Sequence, residues 1–333
     1  MREECLRLGR RGRLVRPFCE QARLRPRSCS LRLQRALVDF GADDSFREAV
    51  KKIREHYGVD VSVAAARQHT LAHAKAIGVV PPRPALEAQM IVTGLDGSMV
   101  PIVESGSGPD RRKGKTLQWK QANLCCARAQ DRVECVYGAT LSSVKMSGLL
   151  WREVACAAGL TEASSIHAVA DGADPIFNAF NEQFGAWGEK ARFTVDYYHV
   201  HEHLSVAADH IAPASKAEWL HRQHGYLLNN EAHKTLRALA RHREPAGQEE
   251  APVRAVYQYL HKRKDHLDYA GARAAGLPFG SGETESAHRH VIQQRLKIAG
   301  AWWAPTNAEG MLRLRTTRAN HDWDRYWTEF AKN

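Results

Sequence analysis

Residues 165–184 read SIHAVADGADPIFNAFNEQF, and within this stretch the chain changes from a strand to a helix across one acidic residue. The first six residues predict a buried strand, with Asp171 at its carboxyl end. Asp174 is a suitable N-cap, and Pro175 suits the first turn of the helix that follows. Because ligands collect at the carboxyl ends of strands in α/β sheets, Asp171 is placed for chemistry. The alternative, that Asp171 only caps the helix, is weaker because Asp174 already fills that role.

The composition predicts a basic protein without a membrane segment. The 333 residues carry a formal net charge of +11. This charge favours a polyanionic partner, nucleic acid first, over the alternative of a merely basic surface. No apolar run reaches the roughly 20 residues of a membrane span, and the arginine-rich N-terminus does not fit a secretory signal. The 7 cysteines form neither a paired framework nor a CxxC pattern, which is typical of reduced cytosolic thiols.

The N-terminal region predicts an arm followed by a small helical domain. Residues 1–30 are dominated by arginine and predict a solvated or nucleic-acid-contacting arm. Residues 31–80 predict three helices: one from Leu31 to Phe40, a second opened by a capping box at Ser45, and a third capped by Ser62. A stiff, proline-rich linker over residues 79–84 then marks a domain boundary.

The second and third of these helices fit a helix-turn-helix arrangement. A tight turn containing Gly58 separates them, and the third helix carries Arg67, Gln68 and Lys75. These three side chains are the predicted DNA contacts of the N-terminal domain. Many helical hairpins share this spacing and bind nothing, so a purely structural hairpin is the alternative.

The chain from residue 86 to 200 predicts a sheet in the order β-β-β-α-β-α-β. The predicted strands are 90–96 with 99–103, 117–128, 132–138, 165–170 and 192–198, and the predicted helices are 146–158 and 175–184. Asp96 and Asp171 stand at the ends of the first and fourth strands. In a ribonuclease-H-like topology these two strands are neighbours, which would bring both carboxylates within reach of shared metal ions.

We therefore predict an α/β, ribonuclease-H-like catalytic domain from residues 86–200 and 278–326, preceded by the small all-α domain. Residues 201–277 lose the strand signals and predict a mostly helical insertion. A glycine-rich turn then leads into a helix with Glu283 and Glu285 in its first turn, where the helix dipole stabilises a carboxylate and suits Glu283. Because residues two apart point to different sides of a helix, only one glutamate can face the aspartates.

Two aspartates and one glutamate suit a pair of hard divalent cations, Mg²⁺ or Mn²⁺. Two such ions, about 3.5–4 Å apart, activate an attacking oxygen and stabilise a leaving one in phosphoryl transfer. Spacing alone is weak evidence, because 37 acidic residues offer many triples. Two strand ends and a helix start, in a basic protein, are more specific, and we predict a two-metal site there.

Several short motifs follow one another in order along the chain. They are LDGSMVP at 95–101, QWKQA at 118–122, ADGA at 170–173, DYYHV at 196–200, GSGETES at 280–286, QRLK at 294–297 and Trp303. Over about Leu31 to Trp327, the chain resembles the DDE transposases of bacterial insertion sequences. The groups it resembles most are the Kra-type and Lre-type, which are relatives of the Mutator-like transposases.

This resemblance implies a catalytic and metal-binding triad of Asp96, Asp171 and Glu285. Asp196 and His199 match the Asp/Cys-x-x-His signature that the family carries near its site. The family also implies a ribonuclease-H-like fold with a helical insertion before the glutamate, and magnesium dependence. Cut-and-join chemistry at the terminal inverted repeats follows, with those repeats and target DNA as partners and a homodimer or higher oligomer on the DNA.

The last motif also contains a departure from the family. Residues 299–303 read AGAWW where a Ser-Gly-x-Arg-Trp-like end is expected, so a basic contact is missing there. Arg289, Arg295 and Lys297 are candidates for contacts with the DNA backbone. The pair Trp302–Trp303 predicts either base stacking or core packing.

The run HVHEH at 199–203 suggests zinc, because alternating histidines can converge on a metal. The HExxH pattern or cysteine partners that a zinc site needs are missing from it, so we do not assign one.

The sequence thus predicts a DNA transposase of the bacterial cytoplasm, associated with the nucleoid, that acts as a metal-dependent endonuclease and polynucleotidyl transferase. One alternative is a catalytically inactive, transposase-derived DNA-binding protein. A further class, the two-carboxylate glycosidases, needs only a pair of acids and predicts no use for a metal or for the basic surface.

Overall fold

The structure is a computed structural model that describes residues 6–7, 14–15, 17, 21, 29–77, 86–106 and 114–332. It divides into two compact units, Met1–Val80 with His321–Asn333, and Pro81–Asn320. The predicted arm, residues 1–30, lies mostly outside the described residues, and within it Leu6–Arg7 pairs antiparallel with Leu14–Val15. The predicted linker, residues 79–84, also lies outside them.

The described elements are helical in the first unit and mixed in the second. The helices are α1 (Leu31–Asp43), α2 (Phe46–Tyr57), α3 (Val63–Ala76), α4 (Val144–Ala157), α5 (Asp174–Phe184), α6 (Tyr197–Ile211), α7 (Lys216–Leu228), α8 (Ala232–Arg241), α9 (Pro252–Lys262), α10 (Tyr269–Ala274), α11 (Gly282–Ala287), α12 (Gln294–Leu296), α13 (Pro305–Ala319) and α14 (Trp323–Phe330). The strands of the main sheet are β1 (Met90–Glu104), β2 (Thr116–Ala129), β3 (Val136–Thr140), β4 (Ser165–Ala170) and β5 (Ala191–Val195). A π-helical turn, His288–Gln293, joins α11 to α12.

The first unit packs three capped helices around a small core. Ser45 and Ser62 cap α2 and α3 as predicted, each accepting a backbone N–H of the first turn. Leu37, Ile53 and Ala66, one from each helix, are fully buried together. The predicted caps are therefore the ones that begin α2 and α3.

His73 of α3 joins the C-terminal helix to this core. Its Nδ1 lies 2.7 Å from the hydroxyl of Tyr326, and its ring packs against Trp327 and Phe330 of α14. His73 is buried, with 3% of its surface exposed. The sequence had assigned residues up to 326 to the catalytic domain, whereas the second unit ends at Asn320.

A five-stranded sheet organises the second unit, in the order β3-β2-β1-β4-β5. The first three strands form an antiparallel meander, while β4 is parallel to β1 and β5 is parallel to β4. The first and fourth strands are therefore neighbours, as predicted. This mixed α/β arrangement is consistent with a ribonuclease-H-like fold.

A large indole from α4 fixes the helix to the sheet. Trp151 is fully buried and contacts Phe184 edge to face, with ring centroids 5.3 Å apart. Its indole N–H donates to Thr93 Oγ1 at 2.6 Å, and that hydroxyl donates to the Cys126 carbonyl at 2.6 Å. A buried polar group without a partner would cost about 1–3 kcal/mol, so these bonds allow the indole to enter the core.

The segment between β5 and α11, where the insertion was predicted, is built of α6 to α10. Its apolar residues continue the main core through Leu204, Trp219, Leu239 and Val256. None of the helices in the described ranges combines the length and the apolarity that a membrane crossing needs.

Three predicted strand boundaries are wrong. β1 is one continuous strand over residues 90–104, because it pairs with β2 along its whole length. β3 begins at Val136, four residues later than predicted. β5 ends at Val195, because the next residue, Asp196, caps α6 with its side chain.

Two predicted helix ends also differ from the structure. α1 continues through Gly41 to Asp43 instead of ending at Phe40, and the backbone N–H of Asp44 closes it. Asp174 is the first residue of α5 rather than its N-cap, and the capping position has no side-chain hydrogen bond.

Acidification is expected to loosen the first unit. Burial lowers the pKa of His73 from 6.5 to about 4, and nearby His69 adds a smaller effect. As the pH falls from 6.5 toward 4, the unfolded chain binds a proton that the folded unit does not, so the unit loses stability across that window. Hydrogen exchange of peptides from α3 and α14, corrected for intrinsic rates, measures this loss.

The variant His73→Asn is the control, because asparagine keeps a polar side chain that does not titrate. Its exchange should depend much less on pH between 6.5 and 4. An equally steep dependence in this variant would show that another group controls the acid response.

Candidate functional site

Asp96 and Asp171 occupy matching positions on neighbouring parallel strands. β1 pairs with β4 from Met90 with Ser165 to Thr93 with Ala168. Each of these pairs differs by 75 residues (165 minus 90), and 171 minus 96 is also 75. Asp96 and Asp171 each lie three residues past the last of these pairs, Asp96 within β1 and Asp171 in the turn after β4. Because adjacent strands lie about 4.8 Å apart, this offset is expected to bring the two aspartates close together.

The helix that carries Glu285 is seated directly on β1. Thr284 is buried, and its hydroxyl lies where a side chain on Gly94 would be, 2.4 Å from an added Cβ. The same hydroxyl lies 3.3 Å from Cys126 Sγ. Burial raises the pKa of Cys126 to about 12, so the thiol stays protonated. The close approach at Gly94 therefore fixes the start of α11 beside the aspartates.

The two glutamates of α11 point to different places, as predicted. Glu283 pairs with Arg128 of β2, with Oε1 2.6 Å from Nη2. Glu285, two residues on, lines the cavity with the aspartates. Glu283 is therefore a structural carboxylate, and Glu285 is the candidate functional one.

A cavity of about 160 Å³ brings the predicted triad together. Its acidic and histidine side chains are Asp96, Asp171, Asp196, His199, Glu202 and Glu285. The triad residues come from β1, the turn after β4, and α11. All three residues of the predicted triad thus line one cavity, as do Asp196 and His199, and their catalytic role stays a prediction.

Each aspartate of the triad uses one oxygen to accept a backbone N–H from a residue close by in sequence. Asp96 Oδ1 accepts the Gly97 N–H at 2.6 Å, and Asp171 Oδ1 accepts the Ala173 N–H at 2.7 Å. Asp171 thus bonds the backbone of the turn just before α5, and the capping position of that helix makes no side-chain hydrogen bond. Asp174 is exposed, and its carboxylate pairs with Lys262 at 2.6 Å instead. One oxygen of each triad aspartate is therefore engaged by the backbone.

Asp196 has a different role from the triad acids. It is buried, and its Oδ1 accepts the N–H groups of Tyr198 and His199 at 2.6 and 3.3 Å, capping α6. Its Oδ2 accepts the Ser281 N–H at 3.0 Å and the Ser281 hydroxyl. With both oxygens engaged, Asp196 ties the turn before α11 to the end of β5. It lies beside the site and holds the site together.

His288 is a site residue that the sequence analysis missed. Its Nε2 lies 3.2 Å from Asp96 Oδ2, and 3% of its surface is exposed. The contact is close, but its angle does not make a hydrogen bond. His288 is three residues after Glu285, which puts both on one side of the helix, and this spacing was the available signal.

The side chains on the cavity are of the chemical type that binds a hard divalent cation, but they are not arranged around one ion position. Asp96, Asp171 and Glu285 supply the carboxylate oxygens that Mg²⁺ and Mn²⁺ prefer. As the side chains stand, no three histidines, cysteines or acids among the described residues are close enough to hold one ion. The histidines of the 199–203 run therefore form no metal site either, and His203 instead stacks on Tyr259 with ring centroids 4.0 Å apart.

The predicted DNA contacts differ in accessibility. Arg289 and Lys297 are exposed in the second unit. Arg295 is only 2% exposed, and its guanidinium lies 4.8 Å from the Trp303 ring. The expectation that Arg295 contacts the DNA backbone is therefore wrong, because its charge packs inside the protein. Arg67, Gln68 and Lys75 are exposed on α3 of the first unit.

The two adjacent tryptophans divide between the two predicted roles. Trp303 is buried, its indole N–H donates to the Leu296 carbonyl at 3.1 Å, and its backbone bridges to Ile102 of β1. Trp302 is 40% exposed, and its ring centroid lies 6.2 Å from that of Trp119. Core packing is thus the role of Trp303, and only Trp302 is accessible for stacking.

Comparisons with known proteins are sparse. Neither a scan against protein-family models nor a search of curated proteins finds a match. Among solved structures, the chain is similar to the Drosophila P element transposase strand transfer complex. The TM-score is 0.35 and the identity 9%, over 94% of this chain and 83% of that chain. A likeness at this level bears on neither the site nor its chemistry.

Replacing Gly94 with alanine is expected to destabilise the second unit. The new Cβ would lie 2.4 Å from Thr284 Oγ1 and 3.0 Å from the Val169 carbonyl. Overpacking of this kind costs about 1–3 kcal/mol. Denaturant unfolding of Gly94→Ala beside the unchanged protein measures the cost.

The matched control repeats the substitution in a Thr284→Ala background. Only the Thr284 Cβ, at an ordinary 3.6 Å, then faces the new methyl group from α11. The Gly94→Ala cost should fall markedly there. The same cost in both backgrounds would mean that α11 does not press against Gly94.

Proposed function

We propose that this protein is a DNA transposase that cuts and joins DNA by phosphoryl transfer at Asp96, Asp171 and Glu285. The observation that carries the proposal is that Asp96 of β1, Asp171 directly after the neighbouring strand β4, and Glu285 of α11 line one cavity. A formal net charge of +11 supports a polyanionic substrate.

The three carboxylates would hold two Mg²⁺ or Mn²⁺ ions, the number that enzymes of phosphoryl transfer commonly use. When bound, such ions supply charge neutralisation at the attacking and leaving oxygens of a phosphodiester. Asp96 and Asp171 are half-buried, and their backbone bonds limit their rotation. Glu285 is exposed and has three rotatable side-chain bonds, so we assign to it the movement that completes the ligand set.

The residues around the cavity would bind and orient the DNA. Arg289 follows Glu285 by one helical turn, and both Arg289 and Lys297 are exposed, so they can neutralise backbone phosphates near the cut. His288 keeps close to Asp96 Oδ2 and limits the positions open to that carboxylate. On α3, the exposed Arg67, Gln68 and Lys75 would contact DNA in the first unit.

One observation favours the alternative of a binding protein without catalysis. As the side chains stand, no three ligating groups in the described part of the chain converge on one point. A protein that binds DNA but has lost metal binding would show the same arrangement. The experiment below separates the two functions.

The purified protein, with Mg²⁺ or Mn²⁺, is expected to cleave DNA that carries the sequences flanking its reading frame. The variants Asp96→Asn, Asp171→Asn and Glu285→Gln should lose roughly 100-fold or more of this activity, because each removes charge from the reacting centre. Cleavage of end-labelled DNA, resolved by electrophoresis, measures the rates.

Glu283→Gln is the matched control for Glu285→Gln, since it makes the same chemical change two residues away. Glu283 pairs with Arg128 and should be dispensable for cleavage. Specific DNA binding with no cleavage in the unchanged protein would favour the binding protein instead. Cleavage that resists EDTA would exclude a metal-dependent transposase.

A further inference from the structure

Side chains at the end of α9 donate hydrogen bonds to the turn that carries Asp171. The hydroxyl of Tyr259 donates to the Asp171 carbonyl at 2.6 Å. Arg263, one turn on, donates through Nε to the Gly172 carbonyl at 2.5 Å. Two consecutive carbonyls of the turn are therefore held by side chains from the segment between β5 and α11, 88 and 91 residues away in sequence.

Tyr259 and Arg263 also hold each other. Arg263 Nη1 donates to the Tyr259 carbonyl at 3.0 Å, and the guanidinium lies 4.1 Å from the centre of the Tyr259 ring. The Arg263 side chain is 13% exposed. Burial raises the pKa of Tyr259, so its hydroxyl remains a donor near neutral pH. A buried, mutually fixed pair of this kind loses little entropy when it holds a third group.

The turn itself is shaped to receive this pair. Gly172 has φ +74°, a left-handed conformation that favours glycine. A Cβ at this position would lie 2.8 Å from Arg263 Nε. The absence of a side chain on Gly172 therefore lets Arg263 reach the backbone of the turn.

The contacts fix the backbone of Asp171 while leaving its carboxylate in the cavity. Tyr259 engages the carbonyl of Asp171, and Asp171 Oδ1 closes its own turn onto the Ala173 N–H. Arg263 and its neighbour Lys262 reach past the turn to the carboxylate of Asp174, the first residue of α5. Arg263 thus binds the Gly172 carbonyl of the turn and the carboxylate of Asp174.

We propose that Tyr259 and Arg263 are positioning residues that set the conformation of the Asp171 turn for metal binding and DNA cleavage. This role rests on the proposed function, because it assumes that Asp171 is a metal ligand. It gives the helical segment between β5 and α11 a part in building the catalytic site. Neither residue contacts DNA or the reacting atoms in this role.

The test is the affinity of the full-length protein for Mn²⁺, measured by titration calorimetry without DNA. Tyr259→Phe removes one hydroxyl and keeps the ring that Arg263 and His203 contact. The loss of one buried hydrogen bond should weaken Mn²⁺ binding by roughly threefold to tenfold. Tyr257→Phe makes the same chemical change on the same helix, where the ring stacks on His261, and should leave the affinity within about twofold.

Two further readouts separate positioning from general destabilisation. Hydrogen exchange of the peptide over residues 171–177 should rise in Tyr259→Phe and not in Tyr257→Phe. Cleavage by Tyr259→Phe should recover at saturating Mn²⁺, because the defect lies in ligand placement. Arg263→Lys, which keeps the charge and loses the Nε donor, should weaken Mn²⁺ binding in the same direction.

The outcomes distinguish this proposal from the function on which it rests. Unchanged Mn²⁺ binding in Tyr259→Phe, with binding lost in Asp171→Asn, would overturn the positioning role and leave the proposed site intact. Unchanged Mn²⁺ binding in Asp171→Asn would remove the metal site, and the positioning role with it. A defect in Tyr259→Phe that matches Tyr257→Phe in every readout would also overturn the proposal.

Discussion

The parallel pairing of β1 with β4 is the constraint on which the candidate site depends. Their constant offset of 75 residues carries Asp96 and Asp171 to the same level of the sheet. A shift by one residue would turn every side chain of the slipped strand to the opposite face, so burial holds the register. β4 is buried along nearly its whole length, and Ile91 and Ile166 lie at one level of the core. Apolar packing therefore positions the acids.

Three segments distant in sequence are held beside the two aspartates by different interactions. Thr284 fits against Gly94 and seats the helix of Glu285, Asp196 ties the Ser281 turn to the end of β5, and Tyr259 holds the Asp171 carbonyl. Each of these interactions is a hydrogen bond or a close contact to the backbone of a turn or strand. The carboxylates can remain available to a ligand because other groups hold the backbone around them.

The errors of sequence interpretation share one physical origin, competition for a local hydrogen bond or charge. Tyr197 and Tyr198 have the aromatic character of a strand, yet Asp196 caps a helix there and that cap decides the outcome. Asp174 looked like the cap of α5, yet Lys262 captures its carboxylate from a distant helix. Arg295 sits in a basic motif, yet its guanidinium packs on a buried ring. The partners of Asp174 and Arg295 are not adjacent to them in sequence.

The sequence by itself determined the order of strands and helices, the position of Asp171 directly after a strand, the glutamate pair and the basic character of the chain. Those features follow from periodicity, caps and composition, which act over a few residues. Only the tertiary structure decided that His288 approaches Asp96, that Arg128 pairs with Glu283, and that side chains of α9 bond the Asp171 turn. Such contacts join residues up to 192 positions apart (288 minus 96), and the folded core alone brings them together.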